Sequence, residues 1–243
     1  MFRGTVTLEY LMQSTMPVPV THVIFDVDGL LLDSESIYDV IIDSILKEHG
    51  RKLSTEARCK IMGKKDTEVA TILIDEFELP LTVEEFLQHD RRQQEVLLPS
   101  VELLPGAEKL VRHLHRQGIP IAVATGSSKR SMELKTARHK GLFDLFHHFV
   151  YSSDDPEVGK GKPEPDCFLL AARRFPADPE PNKCLVLEDA VNGVVAAHAA
   201  GMQCVWVPDP QQPQDGYKEK ATLTLTSLTE FKPELFGLPP YED

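Results

Sequence analysis

Three apolar runs with the look of buried strands, Val23-Ile24-Phe25, Ile121-Ala122-Val123 and Cys184-Leu185-Val186-Leu187, each give way to polar side chains. The polar endings are Asp26-Val27-Asp28-Gly29, Thr125-Gly126-Ser127 and Glu188-Asp189, and a fourth polar piece, Gly161-Lys162-Pro163, falls between the second and third. Strand-like runs recur at 20–29, 119–125, 147–152, 183–188, 202–207 and 221–226, with helical patterns between most of them. Strands alternating with helices build an α/β fold around a doubly wound, Rossmann-like parallel sheet. In an open parallel sheet ligands sit in the crevice outside the carboxyl ends of the strands. The four polar pieces are therefore expected to meet in that crevice and to form an active site.

Between the first two pieces the pattern changes. Ile37, Val40, Ile41 and Ile45 recur at helical spacing, as do Val69, Ile72, Leu73 and Phe77. Thr82, followed three residues later by Glu85, is a capping box that opens a further helix. Residues 36–98 thus read as an all-helical insertion, residues 20–35 and 99–243 as the α/β core, and residues 1–19 as an N-terminal extension. Met16 offers an alternative start, which would leave residues 1–15 as a disordered extension. The core resumes with Ala107, Leu110, Val111 and Leu114 on one helix face, ended by Gly118 and Pro120.

Bulk properties exclude several classes. A net charge of −12 argues against a nucleic-acid binder, which presents a basic face to phosphates. No apolar stretch approaches the roughly 20 residues a membrane helix needs, and the first 16 residues, with Glu9 inside their apolar segment, lack the core of a signal peptide. Cys59, Cys167, Cys184 and Cys204 are scattered without a Cys-x-x-Cys pair and read as reduced thiols, which places the chain in the cytosol.

Asp-Val-Asp-Gly after a strand, a strand-ending Thr125, Gly161-Lys162-Pro163 and Glu188-Asp189, in this order, closely resemble the haloacid dehalogenase superfamily of Mg-dependent aspartate phosphatases. At a finer level the chain is similar to the pseudouridine 5′-phosphatase branch, through Met62-Gly63-Lys64-Lys65, Asp154-Asp155-Pro156-Glu157-Val158 and the tail Pro233 to Pro239. The resemblance runs from about Val20 to the C-terminus and makes the helical insertion a cap.

The resemblance implies roles. A phosphate monoester is cleaved only when its charge is neutralised and a nucleophile is held in line with the leaving oxygen. Asp26 would be that nucleophile and form an aspartyl-phosphate, and Asp28 would serve as general acid and then base. Residues two apart in an extended chain share a side at roughly 6 to 7 Å, room enough for a phosphoryl group. Asp26, Asp189 and the Val27 backbone carbonyl would ligate Mg²⁺ directly, Glu188 would hold a metal-bound water, and Asp28 would contribute indirectly. Thr125 and the amides of Gly126 and Ser127 would bind the phosphoryl oxygens, and Lys162 would balance the carboxylates. Gly63 and Lys64 would face the substrate from the cap, with Lys64 preferred over Lys65, and Asn192 would be an outer contact. Lys160, Asp33, Glu35 and the histidine pairs 113/115 and 147/148 read as surface groups, and Trp206 as core.

A dehalogenase expels halide without a proton and has no use for a second aspartate, so Asp28 points to phosphate chemistry. The expected function is hydrolysis of a small phosphorylated metabolite, with pseudouridine 5′-phosphate implied by the branch. A broad sugar-phosphate or glycerol-phosphate phosphatase, a phosphomutase of the β-phosphoglucomutase type and a non-catalytic binding protein stay open as alternatives. No nucleic-acid polymer or membrane is expected as a partner, and a monomer is favoured.

Overall fold

β1 (His22–Phe25), β2 (Ile121–Thr125), β3 (His148–Tyr151), β4 (Cys184–Glu188), β5 (Gln203–Trp206) and β6 (Leu223–Thr224) lie side by side in the order β3-β2-β1-β4-β5-β6. The structure, a computed structural model, describes residues 17–61, 66–210, 214 and 216–242; among these, every strand pairing is parallel. The winding reverses at β1, which has β2 on one side and β4 on the other. Phe25 pairs with both Val123 and Leu187, so the chain leaves these three central strands at nearly one level. The crevice anticipated from the sequence opens at that switch point.

Successive strand residues feed opposite layers, as the pleat requires. Val23, Phe25, Ile121, Val123, Leu185 and Leu187 join one buried cluster, while Ile24, Ala122, Ala124, Cys184, Val186 and Cys204 join the other. Both faces are covered, which is why these strands read as unbroken apolar runs and not as alternating ones. α5 (Ala107–Arg116), α6 (Lys129–Thr136) and α7 (Lys140–Phe143) supply residues to the first layer, and α8 (Asp166–Arg173) and α9 (Val191–Ala199) to the second. Trp206 is fully buried, as its apolar surroundings suggested.

Between β1 and β2 come α1 (Ser34–Glu48), α2 (Thr55–Ile61), α3 (Asp66–Phe77) and α4 (Val83–Leu97). They enclose an apolar cluster of their own, built on Ile41, Ile45, Leu46, Ala70, Leu73 and Phe86. The capping box of α4 is formed: the Thr82 hydroxyl accepts from the Glu85 amide and the Glu85 carboxylate accepts from the Thr82 amide. Val40, expected on the inner face of α1, is 53% exposed, because Ile41 and Ile45 set the buried stripe one residue further round. The two connections to the sheet are tied together where Leu104 N–H donates to Leu31 O at 2.9 Å and Asp33 N–H to Glu102 O at 3.0 Å. Arg58 of α2 pairs with Asp39 of α1 and reaches Asp209, in the chain after β5.

The paired histidines, all read as surface groups, divide. His113 is fully buried, its Nε2 2.8 Å from Pro239 O, because the C-terminal tail folds back over α5. His115 and His147 are exposed as expected. His148 is half-buried with its Nε2 2.8 Å from Ala171 O.

Leu73→Ala should cost ~2–5 kcal/mol, since it leaves a cavity among packed helices. The helices α1–α4 have a cluster separate from the sheet layers, so amides there should lose hydrogen-exchange protection before those of β1, β2 and β4.

Candidate active site

Asp26 follows β1 directly, its amide donating to Leu187 O at 3.0 Å, which fixes it at the mouth of the sheet. Glu188 ends β4 and Asp189 follows it. Ligand-capable oxygens of Asp26, Glu188 and Asp189 lie within 4.8 Å of one another, and all three residues are buried. Lys162 is brought over them by the loop before α8. Its Nζ donates to Asp26 Oδ1 and to Glu188 Oε1, each at 2.6 Å, and to Ala124 O at 3.1 Å. Glu188 Oε2 accepts from the Asp189 and Ala190 amides, both at 3.0 Å. The Trp206 indole donates to Asp189 O at 2.7 Å, so the core tryptophan anchors the acid pair.

Two glycines make this packing possible. A Cβ on Gly193, in the first turns of α9, would stand 1.8 Å from Glu188 Oε1. A Cβ on Gly29, whose φ is +74°, would stand 2.3 Å from Asp189 Oδ2. The backbone approaches the carboxylates here as only glycine allows.

Asp28, two residues after Asp26, has a different set of partners. Its Oδ1 accepts from Ser34 Oγ and Lys135 Nζ, each at 2.5 Å. Its Oδ2 accepts from Ser127 Oγ at 2.8 Å and Lys135 Nζ at 2.7 Å, with Thr125 Oγ1 at 3.5 Å. Thr125 is fully buried, and its Oγ1 accepts from the Ser127 amide at 3.0 Å. The Ser127 amide is therefore turned into its own loop, a local side-chain bond of the kind hydroxyl residues make in turns.

Electrostatics separate the two aspartates. Burial pushes the Asp26 carboxyl up to about 7 against the pull of Lys162, with Glu188 and Asp28 adding to the rise. Asp189 is raised well above the usual carboxylate range by burial, then by Glu188 and Asp26. Burial would raise Asp28 too, but the Lys135 ammonium and the hydrogen bonds from Lys135, Ser34 and Ser127 outweigh it, and Asp28 stays below its ordinary value. Glu35 is not the freely solvated carboxylate expected from its place near the hinge: burial first, then Asp28, pushes it to about 7.

Of the residues anticipated from sequence, Asp26, Lys162, Glu188 and Asp189 come together directly, and Asp28, Thr125 and Ser127 form the adjoining group. Gly126 is exposed beside them. The Val27 carbonyl departs from expectation: it accepts the amides of Leu31 at 2.9 Å and Leu32 at 3.0 Å in the turn leaving β1, so both its lone pairs are engaged away from a cation. Asn192, half-buried in the first turn of α9, makes no hydrogen bond to the acids among the described residues. Gly63 and Lys64 lie outside the described residues. Lys160 is exposed, as anticipated. Ser34 and Lys135 were not anticipated. The available signal for Lys135 was its place four residues after Ser131 and three after Met132, on the buried face of α6.

Residues 20–201 match the haloacid dehalogenase-like hydrolase family. Over 224 residues the chain is 47% identical to a probable pseudouridine-5′-phosphatase of Drosophila melanogaster, covering 92% of this chain and 96% of that protein. Over 227 residues it is 48% identical to (DL)-glycerol-3-phosphatase 2 of Arabidopsis thaliana, covering 92% and 94%. The crystal structure of a haloacid dehalogenase family hydrolase from Deinococcus radiodurans with bound phosphate and sodium superposes with a TM-score of 0.75 at 30% identity, covering 92% of this chain and all of that one. The chain belongs to the haloacid dehalogenase-like hydrolases. Within that family it is an enzyme of the phosphatase class.

A carboxyl raised from 3.8 to about 7 on folding keeps its proton in the native state after the unfolded chain has lost it. Its contribution to stability is therefore present at low pH, falls between about 4 and 7, and is gone above 7. In metal-free protein Asp26→Asn should raise Tm at pH 8 by about 2–4 °C, or ~1 kcal/mol at this chain length, and by much less at pH 4. Paired thermal melts at the two pH values check this.

Proposed function

We propose that this protein is a Mg²⁺-dependent phosphomonoesterase that works through an aspartyl-phosphate on Asp26, with pseudouridine 5′-phosphate as its preferred substrate. The observation that carries the mechanism is the convergence of Asp26, Glu188 and Asp189 within 4.8 Å, facing one ammonium, that of Lys162. Three buried carboxylates beside a single cation form a donor set with charge to spare, and hard oxygen donors suit Mg²⁺. The residues fit the ion: Asp26 and Asp189 would hold it directly and Glu188 from one shell further out. When bound, Mg²⁺ supplies charge neutralisation for the transferring phosphoryl group and lets Asp26 ionise at neutral pH.

The chain's own groups account for the bond changes. An Asp26 carboxylate oxygen attacks phosphorus while Lys162 and the Thr125 loop hold the phosphoryl oxygens. The bond to the leaving oxygen breaks, its electron pair stays on that oxygen, and Asp28 hands it the proton that the phosphate monoester brings in as a monoanion. Water then attacks the aspartyl-phosphate, Asp28 takes the water's proton, and the electron pair of the Asp26–phosphorus bond returns to the carboxylate as inorganic phosphate leaves. The low proton affinity of Asp28 suits its turn as base, whereas the raised proton affinity of Asp26 must be relieved by the cation before it can attack. The helices α1–α4 would serve as a cap over the crevice, excluding water and presenting the specificity residues, with Gly63 and Lys64 among them.

The substrate reading rests on the likeness to pseudouridine-5′-phosphatases. A second reading, glycerol 3-phosphate, is favoured by the equally similar Arabidopsis protein. Structural likeness to a β-phosphoglucomutase at 24% identity speaks to fold alone. Among the described residues Cys167, Cys184 and Cys204 are buried free thiols, which supports a reducing, cytosolic setting, and no helix is long and apolar enough to cross a membrane.

Phosphate release across a panel of nucleoside, sugar and glycerol phosphates, with Mg²⁺ and with chelator, tests the substrate. Pseudouridine 5′-phosphate should exceed uridine 5′-phosphate and glycerol 3-phosphate in kcat/KM by tenfold or more, about 1.4 kcal/mol in transition-state binding. A flat profile would discard the named substrate, and an isomerised product without free phosphate would mark a mutase. Asp26→Asn should fold normally and lose turnover, the amide being a poor nucleophile; Mg-dependent turnover in that variant would refute the assignment. Mg²⁺ should also raise Tm of the parent at pH 8, and raise it far less in Asp189→Asn, as binding to the native state alone requires.

A further inference from the structure

Lys135 is completely buried in α6, and no part of the mechanism above uses it. A lysine is almost never fully buried without a partner, and here the whole ammonium is spent on one neighbourhood. Its Nζ bonds both Asp28 oxygens, at 2.5 and 2.7 Å, and Ser127 Oγ at 2.6 Å. Ser127 Oγ then donates to Asp28 Oδ2, and Ser34 Oγ donates to Oδ1. Four hydrogen bonds from three side chains thus fix the plane and the rotamer of one carboxylate.

These partners come from separate parts of the fold. Asp28 is on the turn after β1, Ser127 on the loop after β2, Lys135 on α6, and Ser34 at the start of α1. Tyr38, one turn further along α1, places its ring 5.8 Å from the Lys135 Nζ and its hydroxyl 3.2 Å from Ser131 Oγ. Burying the Lys135 and Asp28 charges costs several kcal/mol before their attraction is counted, and an apolar pair of like volume is often no less stable. Stability alone is a poor account of the ammonium, whereas orientation of Asp28 is a direct one.

We infer that Lys135 is a positioning residue that holds the Asp28 carboxylate in the orientation from which it exchanges protons with the leaving oxygen and the attacking water. The inference rests on the acid and base reading of Asp28 given above. Correct placement of an acid or base contributes roughly 10²–10⁴-fold to such reactions.

The test uses the full-length enzyme with saturating Mg²⁺ and two substrates. Glycerol 3-phosphate expels an alkoxide that needs a proton; p-nitrophenyl phosphate expels a phenolate that does not. In Lys135→Met, kcat/KM for glycerol 3-phosphate should fall tenfold or more. The pre-steady-state release of p-nitrophenolate should stay within about threefold of the parent, while its steady-state release, which awaits hydrolysis of the aspartyl-phosphate, falls tenfold or more. Equal loss in all three, or no loss, would overturn the inference.

Asp28→Asn run in parallel separates the two claims. If it shows the selective pattern and Lys135→Met does not, Lys135 has no positioning role and the reading of Asp28 stands. If Asp28→Asn itself lacks the pattern, that reading falls and the inference with it. Lys135→Met strands a buried carboxylate and can fail to fold, whereas Lys135→Met/Asp28→Asn removes both charges. Relative to Asp28→Asn alone, the double variant should release p-nitrophenolate within threefold; a further tenfold loss would show that Lys135 acts other than through Asp28.

Discussion

The crevice depends on burying like charges and then holding them in place. Asp26, Glu188 and Asp189 crowd together at the mouth of a dry parallel sheet, with Lys162 bridging Asp26 and Glu188. Left alone, such a cluster opposes folding, as the raised proton affinities of Asp26 and Asp189 register. The sheet tolerates it because backbone amides, the Trp206 indole and two glycines close on the carboxylates from behind. The rest of the core is rigid apolar packing on both faces, and that rigidity holds the charges where a divalent cation and a phosphate would relieve them.

Within this field the enzyme gives two aspartates, two residues apart, opposite characters. Asp26 shares its single lysine with other carboxylates, whereas Asp28 has a lysine and two hydroxyls of its own. The same side chain thus binds a proton more tightly in one position and less tightly in the other. The partners of Asp28 also join the sheet to α1, so Asp28 is coupled to the helices that stand where a cap is proposed.

Much of this was legible in the chain. The unbroken apolar runs announced a sheet buried on both faces, and the acids at their ends announced the crevice, because a strand's last residue has one place to point. The capping box at Thr82 and the helical spacing of Ile41, Ile45 and Leu73 announced α4, α1 and α3. Local patterns failed where long-range packing decides. His113 is buried by a tail more than a hundred residues later, the Val27 carbonyl is consumed by a turn, and Glu35 is raised first by burial and then by Asp28.

The sequence by itself determined the class of fold and the order of the strands' polar endings, since these follow from periodicity and from residue type at strand ends. Only the tertiary structure decided which cation serves which carboxylate. Lys162 comes from a loop 136 residues beyond Asp26, and Lys135 from a helix 107 residues beyond Asp28. Locally, Lys135 differs from a solvated helix lysine only in sharing a face with Ser131 and Met132. Its role exists only because the parallel crossover from β2 lays one face of α6 against the turn after β1, where burial makes an unpaired charge too costly and pairing therefore specific.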